Sequence, residues 1–315
     1  ENNVFVDCGM QQVEYNGWKG GHPFWKSHFD SMVKGYESVA GAPAWQGMRN
    51  MTTHPRDAVL PDGLIMTGNV FRRNVVDYRD PKAKLFQFAN VPFDHYVSDD
   101  NVFWHHGLPL DTGQRAFGGI VASVPIDNAG FEKGKDGGMP DGWRWQIRPV
   151  DADASRQPVD ADASRQSSAG GHMLSIGSGK GLDAAGKKVA AEVTSNEFPV
   201  VPGRAYRLVA RMKADRGDVA ATLMLQSYVA NVFFWGSRPN EATLGPGWQA
   251  VEFRFRVPAA GEPGHHVKLE RARVRIDVVT AGAVVQVDDV RLDEVEQLEG
   301  WAAWLKLGFD TRSVV

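Results

Sequence analysis

The densest group of side chains able to recognise a ligand is Gln226, Tyr228, Asn231, Phe234, Trp235 and Arg238. Flat aromatic rings offer a stacking surface to the C–H face of a sugar ring, and amide and guanidinium groups bind its hydroxyls. The six lie at the end of the apolar run 219–225 and in the segment after it, and Phe233-Phe234-Trp235-Gly236 is too apolar for an idle surface loop. A second group comprises His22, His28, Asp30, His54, Asp57, Asp94, His95, Asp99, Asp100, His105 and His106. General acid–base chemistry needs a positioned acid and base within reach of one reacting group. No spacing in this group has the specificity of a dyad or a metal site, so no catalytic residue is assigned. Asp99-Asp100-Asn101 and His105-His106-Gly107 read as surface turns.

These residues must be held by strands. Residues 205–214 alternate, with Tyr206, Leu208, Ala210 and Met212 on one face and Arg207, Val209, Arg211 and Lys213 on the other. Val251, Phe253, Phe255 and Val257 alternate with Glu252, Arg254 and Arg256, and Val274, Ile276 and Val278 with Arg273, Arg275 and Asp277. Pro202-Gly203, Gly245-Pro246-Gly247 and Ala281-Gly282 mark turns between them. In the closing strand Val285 and Val287 share one parity and Val290 and Leu292 the other. A one-residue bulge at Asp288-Asp289 brings all four to one core. The outward arginines and Lys213 could attract uronic acids or sulfates. The heptapeptide 151–157 recurs identically at 160–166 and reads as a duplicated surface loop.

The earlier part of the chain has a different grain. Asn-Val-Phe occurs at Asn3, Asn69 and Asn101, 66 and 32 residues apart, with a relative at Asn74-Val75-Val76. Between the first two, apolar residues at three- and four-residue spacing predict a short amphipathic helix from Trp25 to about Tyr36. Trp301, Trp304 and Leu305 have helical spacing near the other end.

Two resemblances follow. The frame that opens Asn128-Ala129-Gly130-Phe131-Glu132-Lys133-Gly134, passes Pro140-Asp141-Gly142-Trp143 and closes Val287-Asp288-Asp289-Val290-Arg291-Leu292 resembles jelly-roll carbohydrate-binding modules of the family 4/9/22 type. Short strands each preceded by Asn resemble the rungs of a right-handed parallel β-helix of the polysaccharide-degrading kind. Together they imply an all-β chain: a partial β-helix with a helical excursion over 1–118, a β-sandwich over 119–295 and a return to the β-helix over 296–315. They also imply a structural Ca2+ on Glu132, Asp288 and Asp289, whose hard oxygens suit that ion. The implied function is polysaccharide or oligosaccharide binding within a secreted or periplasmic glycoside hydrolase or polysaccharide lyase. A surface adhesion protein and a purely structural sandwich are the alternatives. The chain starts without Met and is strand-like at both ends, which suggests a piece of a longer protein.

Composition sets wider limits. Hydrophobic residues at 43% and charged residues at 23% are ordinary for a globular protein and argue against disorder. A net charge of −3 gives no electrostatic case for nucleic acid or an anionic membrane as partner. No apolar run approaches the roughly 20 residues of a spanning helix. The single Cys8 excludes an internal disulfide framework.

Overall fold

A computed structural model of the chain describes residues 1–19, 23–48, 52–65, 67–158, 171–182, 185–186, 189–229, 232–267 and 269–315, apart from the side chains of residues 156, 158, 229, 232 and 234. The second copy of the heptapeptide and Asn231 lie outside them. The chain divides into Glu1–Ala116 with Leu298–Val315, and Phe117–Gln297. No helix among the described residues is long and apolar enough to cross a membrane.

The first unit contains β1 (Val4–Val6), β2 (Gln11–Asn16), α1 (Pro23–Val39), α2 (Pro43–Gln46), β3 (Asn69–Arg72), β4 (Val75–Asp77), β5 (Lys84–Ala89), β6 (Tyr96–Asp99) and β7 (Val102–Trp104). All pairing among these strands is parallel. β1, β4 and β7 form one sheet with Val4, Val75 and Val102 in one column; β2 pairs with β5, and β3 with β6. Val75 faces Val102 and Asn69 faces Tyr96, each pair 27 residues apart. Phe71, Val76, Tyr78, Leu85, Phe86 and Phe103 are buried between the sheets.

Asparagines bind the strands of the first sheet at their entry points. Asn74 Oδ1 accepts the Asn3 N–H at 3.0 Å and its amide at 3.1 Å. Asn101 Oδ1 accepts the Asn74 N–H at 2.9 Å and its amide at 3.1 Å. The Asn101 amide then donates to Asp310 Oδ1 at 2.8 Å. A carboxamide carries both a donor and an acceptor, so the same residue type can repeat down the column. The residues before the three asparagines, Asn2, Arg73 and Asp100, have φ of 59°, 54° and 57°, which sets the corner. The ladder therefore uses Asn74, not Asn69. Asn69 begins β3 in another sheet, so the spacings of 66 and 32 residues do not describe the repeat.

Two further expectations change. His105 is no surface turn: it is buried, with its ring 3.8 Å from that of Tyr78 and its nitrogens against the Pro109 and Asp80 carbonyls. The helix in the excursion is longer than its apolar spacing suggested, and Val33 is its one buried residue among those described.

The second unit contains β8 (Arg115–Val124), β9 (Trp143–Ile147), β10 (Asp153–Pro158), β11 (His172–Gly177), β12 (Ala191–Ser195), β13 (Phe198–Pro199) and β14 (Ala205–Ala214). It continues with β15 (Val219–Val229), β16 (Val232–Gly236), β17 (Asn240–Leu244), β18 (Gln249–Arg256), β19 (Arg271–Val278) and β20 (Val284–Glu299). α3 (Gly300–Lys306) belongs to the first unit. One sheet runs β10-β11-β20-β14-β18 with β8 on β20; the other runs β16-β15-β19-β12-β9 with β13 on β19 and β17 on β15. One core lies between them, containing Leu208, Ala210 and Met212 of β14, Leu223 and Leu225 of β15, and Val274, Ile276 and Val278 of β19. This is a β-sandwich. Its closing strand contains the bulge. Val209 faces Arg291 and Arg211 faces Asp288, so Asp289 and Val290 together oppose Ala210, and Asp289 has φ of 50°. Val285, Val287, Val290 and Leu292 are all buried as a result.

Candidate functional site

The outward face of the seven-stranded sheet is built from polar side chains that are nonetheless buried. Register places them in rows. Thr222, Asp277 and Glu192 face one another across β15, β19 and β12; Met224, Arg275 and Thr194 form the next row, and Gln226 and Arg273 the third. Each alternates with a core residue of its own strand. Glu192, Thr194, Thr222, Gln226, Arg273 and Asp277 are all 8% exposed or less, where an ordinary solvated face would be open.

Ion pairs fix the array. Arg275 forks onto Asp277 at 2.6 and 2.9 Å and reaches Glu192 at 2.6 Å. Thr222 Oγ1 donates to Asp277 at 2.9 Å. Arg273 pairs with Glu197 at 2.7 Å and lies 4.9 Å from the centre of the Tyr228 ring. The Tyr228 hydroxyl donates to Gln226 Oε1 at 2.7 Å. Two carboxylates compete for Arg275. Burial, and then the charge of Asp277, push the Glu192 carboxyl up to about 7, against the pull of Arg275. Among the described residues Thr194 Oγ1 and Arg273 Nε are buried without a hydrogen-bond partner, and each belongs to a side chain of this outward face. At the end of the rows Phe233 packs edge-on to Tyr228, with ring centres 5.9 Å apart, and is 52% exposed. The face thus holds a fixed polar array beside an exposed aromatic ring.

Of the residues expected to bind ligand, Gln226 and Tyr228 meet here and Arg238 is exposed beyond β16. Asn231 and the Phe234 side chain lie outside the described residues. Trp235 is corrected: it is 9% exposed and packs in the sandwich core, 6.3 Å from Phe255. The cause is a bulge between β15 and β16. Ser227 faces Trp235 while Tyr228 faces Phe233, so position 234 is the extra residue and Trp235 takes core parity. Glu192, Thr194, Thr222 and Asp277 were not singled out as ligands. Only the pairing of β12 and β15 with β19 brings them together, and the alternation of β19 was the signal that pointed towards it.

The expected calcium ligands lie near the bulge and have partners. Glu132 accepts the backbone N–H of His172 at 3.0 Å and lies 3.0 Å from its Nδ1. Asp288 Oδ1 accepts the Asp289 N–H at 2.8 Å, and Asp289 lies 3.4 Å from Arg211. Burial, helped by the charges of Asp289 and Glu132, raises the Asp288 pKa. Among the described residues no group of three or more His, Cys, Asp or Glu side chains is arranged to hold an ion.

No protein-family model matches the chain, and no curated protein matches it. Solved structures overlap it loosely. A Stig cyclase from Fischerella sp. TAU is 14% identical, with a TM-score of 0.40 over 55% of this chain and 97% of its own. The CBM22-1 xylan-binding domain of Paenibacillus barcinonensis is 11% identical, with a TM-score of 0.34 over 57% and 96%. The enzymatically active domain of bacteriophage CBA120 tailspike protein 4 is 11% identical, with a TM-score of 0.38 over 72% and 35%. Overlaps this loose assign neither a family nor a ligand to this chain.

Proposed function

We propose that the second unit binds carbohydrate on the outward face of its seven-stranded sheet. The observation that carries this reading is the array itself: buried polar side chains in register, fixed by ion pairs, ending at the Tyr228–Phe233 pair. A saccharide has hydroxyls to satisfy such donors and acceptors and a C–H face to lie on an aromatic ring. Affinity electrophoresis of the chain in gels holding neutral plant and algal glycans tests it. Retardation that disappears in Tyr228→Ala and Gln226→Ala supports the reading. No retardation by any glycan leaves the array a purely structural ion-pair network.

The setting is part of the same proposal. The sandwich is read as a jelly roll, and the first unit as a stretch of right-handed parallel β-helix. The 27-residue register and the asparagine ladder support the second reading. In that setting the chain serves a secreted or periplasmic polysaccharide-degrading enzyme, with no catalytic residue assigned. A structural Ca2+ at Asp288, with Asp289 and Glu132 nearby, is proposed as well. The Asp288 pKa, raised by burial and then by the charges of Asp289 and Glu132, supports it, because a divalent cation would stabilise the carboxylate buried there. The ion would have to draw Glu132 from His172 and Asp289 from Arg211. A thermal midpoint that falls with chelator and returns with Ca2+ is the expected result; an unchanged midpoint refutes it.

A further inference from the structure

The six-stranded sheet has its own outward arginines and lysine, and the structure separates those that are occupied from those that are not. Arg207 is held by Glu252 at 2.7 Å and Asp293 at 3.1 Å, and Arg256 by Glu262. Arg254 lies 3.4 Å from Glu252. Lys213 has no carboxylate partner among the described residues. Arg211 reaches Asp289 at 3.4 Å, a side chain that is itself 51% exposed, and faces Asp288 in the strand register.

Both cations converge on one indole. Met212 faces Gln249 in the register of β14 against β18, which brings Trp248 to the level of Lys213. Lys213 Nζ lies 4.8 Å and Arg211 Cζ 5.1 Å from the centre of the Trp248 ring. Two like charges are thus gathered at one ring, where the ring face and, for Arg211, the half-exposed Asp289 carboxylate offset their repulsion. Gly245-Pro246-Gly247 just before Trp248 fixes the approach of the chain.

We propose that Trp248, Arg211 and Lys213 form a second ligand site, on the sheet opposite the polar array, for the anionic group of an acidic polysaccharide. A carboxylate or sulfate oxygen would take charge-assisted hydrogen bonds from the Arg211 fork and the Lys213 ammonium. The adjoining sugar ring would lie along the indole. Uronate and sulfate ester present the same anionic chemistry, so the two sources are separated by the probe. The site does not depend on the carbohydrate reading of the other sheet.

The test is affinity electrophoresis of the whole chain in gels containing polygalacturonate, dextran sulfate, neutral dextran or single-stranded DNA. Retardation is expected in one or both of the first two gels, and not in neutral dextran. The apparent affinity should fall by about tenfold or more in the double variant Arg211→Gln/Lys213→Gln and in Trp248→Ala. It should be unchanged in Lys26→Gln, which removes one exposed positive charge from the first unit, so a general loss of cationic charge is separated from loss of this site. The double variant removes no well-made ion pair, so it carries the test if Trp248→Ala disturbs the strand. Parent-like retardation of the double variant in both anionic gels overturns the proposal, and so does the absence of retardation in both. Equal retardation by DNA, relieved by the same substitutions, also overturns it, because the patch would then be a general polyanion surface.

Discussion

Replacing Glu192 by Gln should remove a specific pH dependence from the stability of the sandwich. Glu192 is 8% exposed and shares Arg275 with Asp277, and its carboxyl is pushed up to about 7 from 4.5. In the unfolded chain it ionises near 4.5, whereas in the folded chain it holds its proton to about 7. Between these values the folded state binds more protons than the unfolded one, so stability falls as pH rises through the window and levels off above it. At about 1.4 kcal/mol for each pKa unit, the full loss is about 3 kcal/mol. Most of it, about 2 kcal/mol, falls between about pH 5 and pH 8. The substituted carboxamide keeps an oxygen for the Arg275 guanidinium and has no proton to lose in this range. Urea titrations at about pH 5 and pH 8, read by hydrogen exchange in peptides from β19, measure both proteins. The parent should lose about 2 kcal/mol more than the variant over that interval. The same loss in both would refute the argument that Asp277 and burial hold Glu192 protonated.

Other outcomes follow from the same contacts. Asn101→Ala would leave the Asn74 backbone N–H and amide and the Asp310 carboxylate short of partners in a buried column. At about 1–3 kcal/mol for each buried unsatisfied group, chemical unfolding should show the first unit destabilised by about 3 kcal/mol or more. Trp235→Ala should cost about 3–5 kcal/mol because it opens a cavity in the sandwich core, measured as a drop in thermal midpoint. Phe233→Ala, at an exposed ring, should leave the midpoint within a degree or two, by the small effect of surface changes, while weakening glycan retardation.

Strand alternation carried the sandwich. In β14, β18 and β19 the parity of apolar residues matches the observed inner faces, and the parity break at Asp288-Asp289 corresponds to an extra residue opposite Ala210. The site was less legible. Gln226, Arg273 and Arg275 stood out by type, but Glu192 sits in a five-residue strand with little pattern, and only its pairing with Asp277 gives it a role. Trp235 was misplaced because the bulge that reverses its parity lies between β15 and β16, where Phe233-Phe234-Trp235 has no polar residue to mark the faces. Asn69 and Asn74 are five residues apart with similar neighbours, so sequence alone could not choose which of them joins the ladder.

The ladder has a consequence for how such a chain can lengthen. Asn3 to Asn74 spans 71 residues, Asn74 to Asn101 spans 27, and Asn101 to Asp310 spans 209, yet each step is closed by the same kind of amide contact. Loop-closure entropy grows only with the logarithm of length, so going from the shortest step to the longest adds about 2 kcal/mol even for an unstructured segment. An insert that folds by itself adds less. Whole segments can therefore be gained, lost or exchanged between consecutive steps without retuning the steps themselves. In this architecture evolution can graft new binding surfaces at the corners while the column of asparagines stays constant.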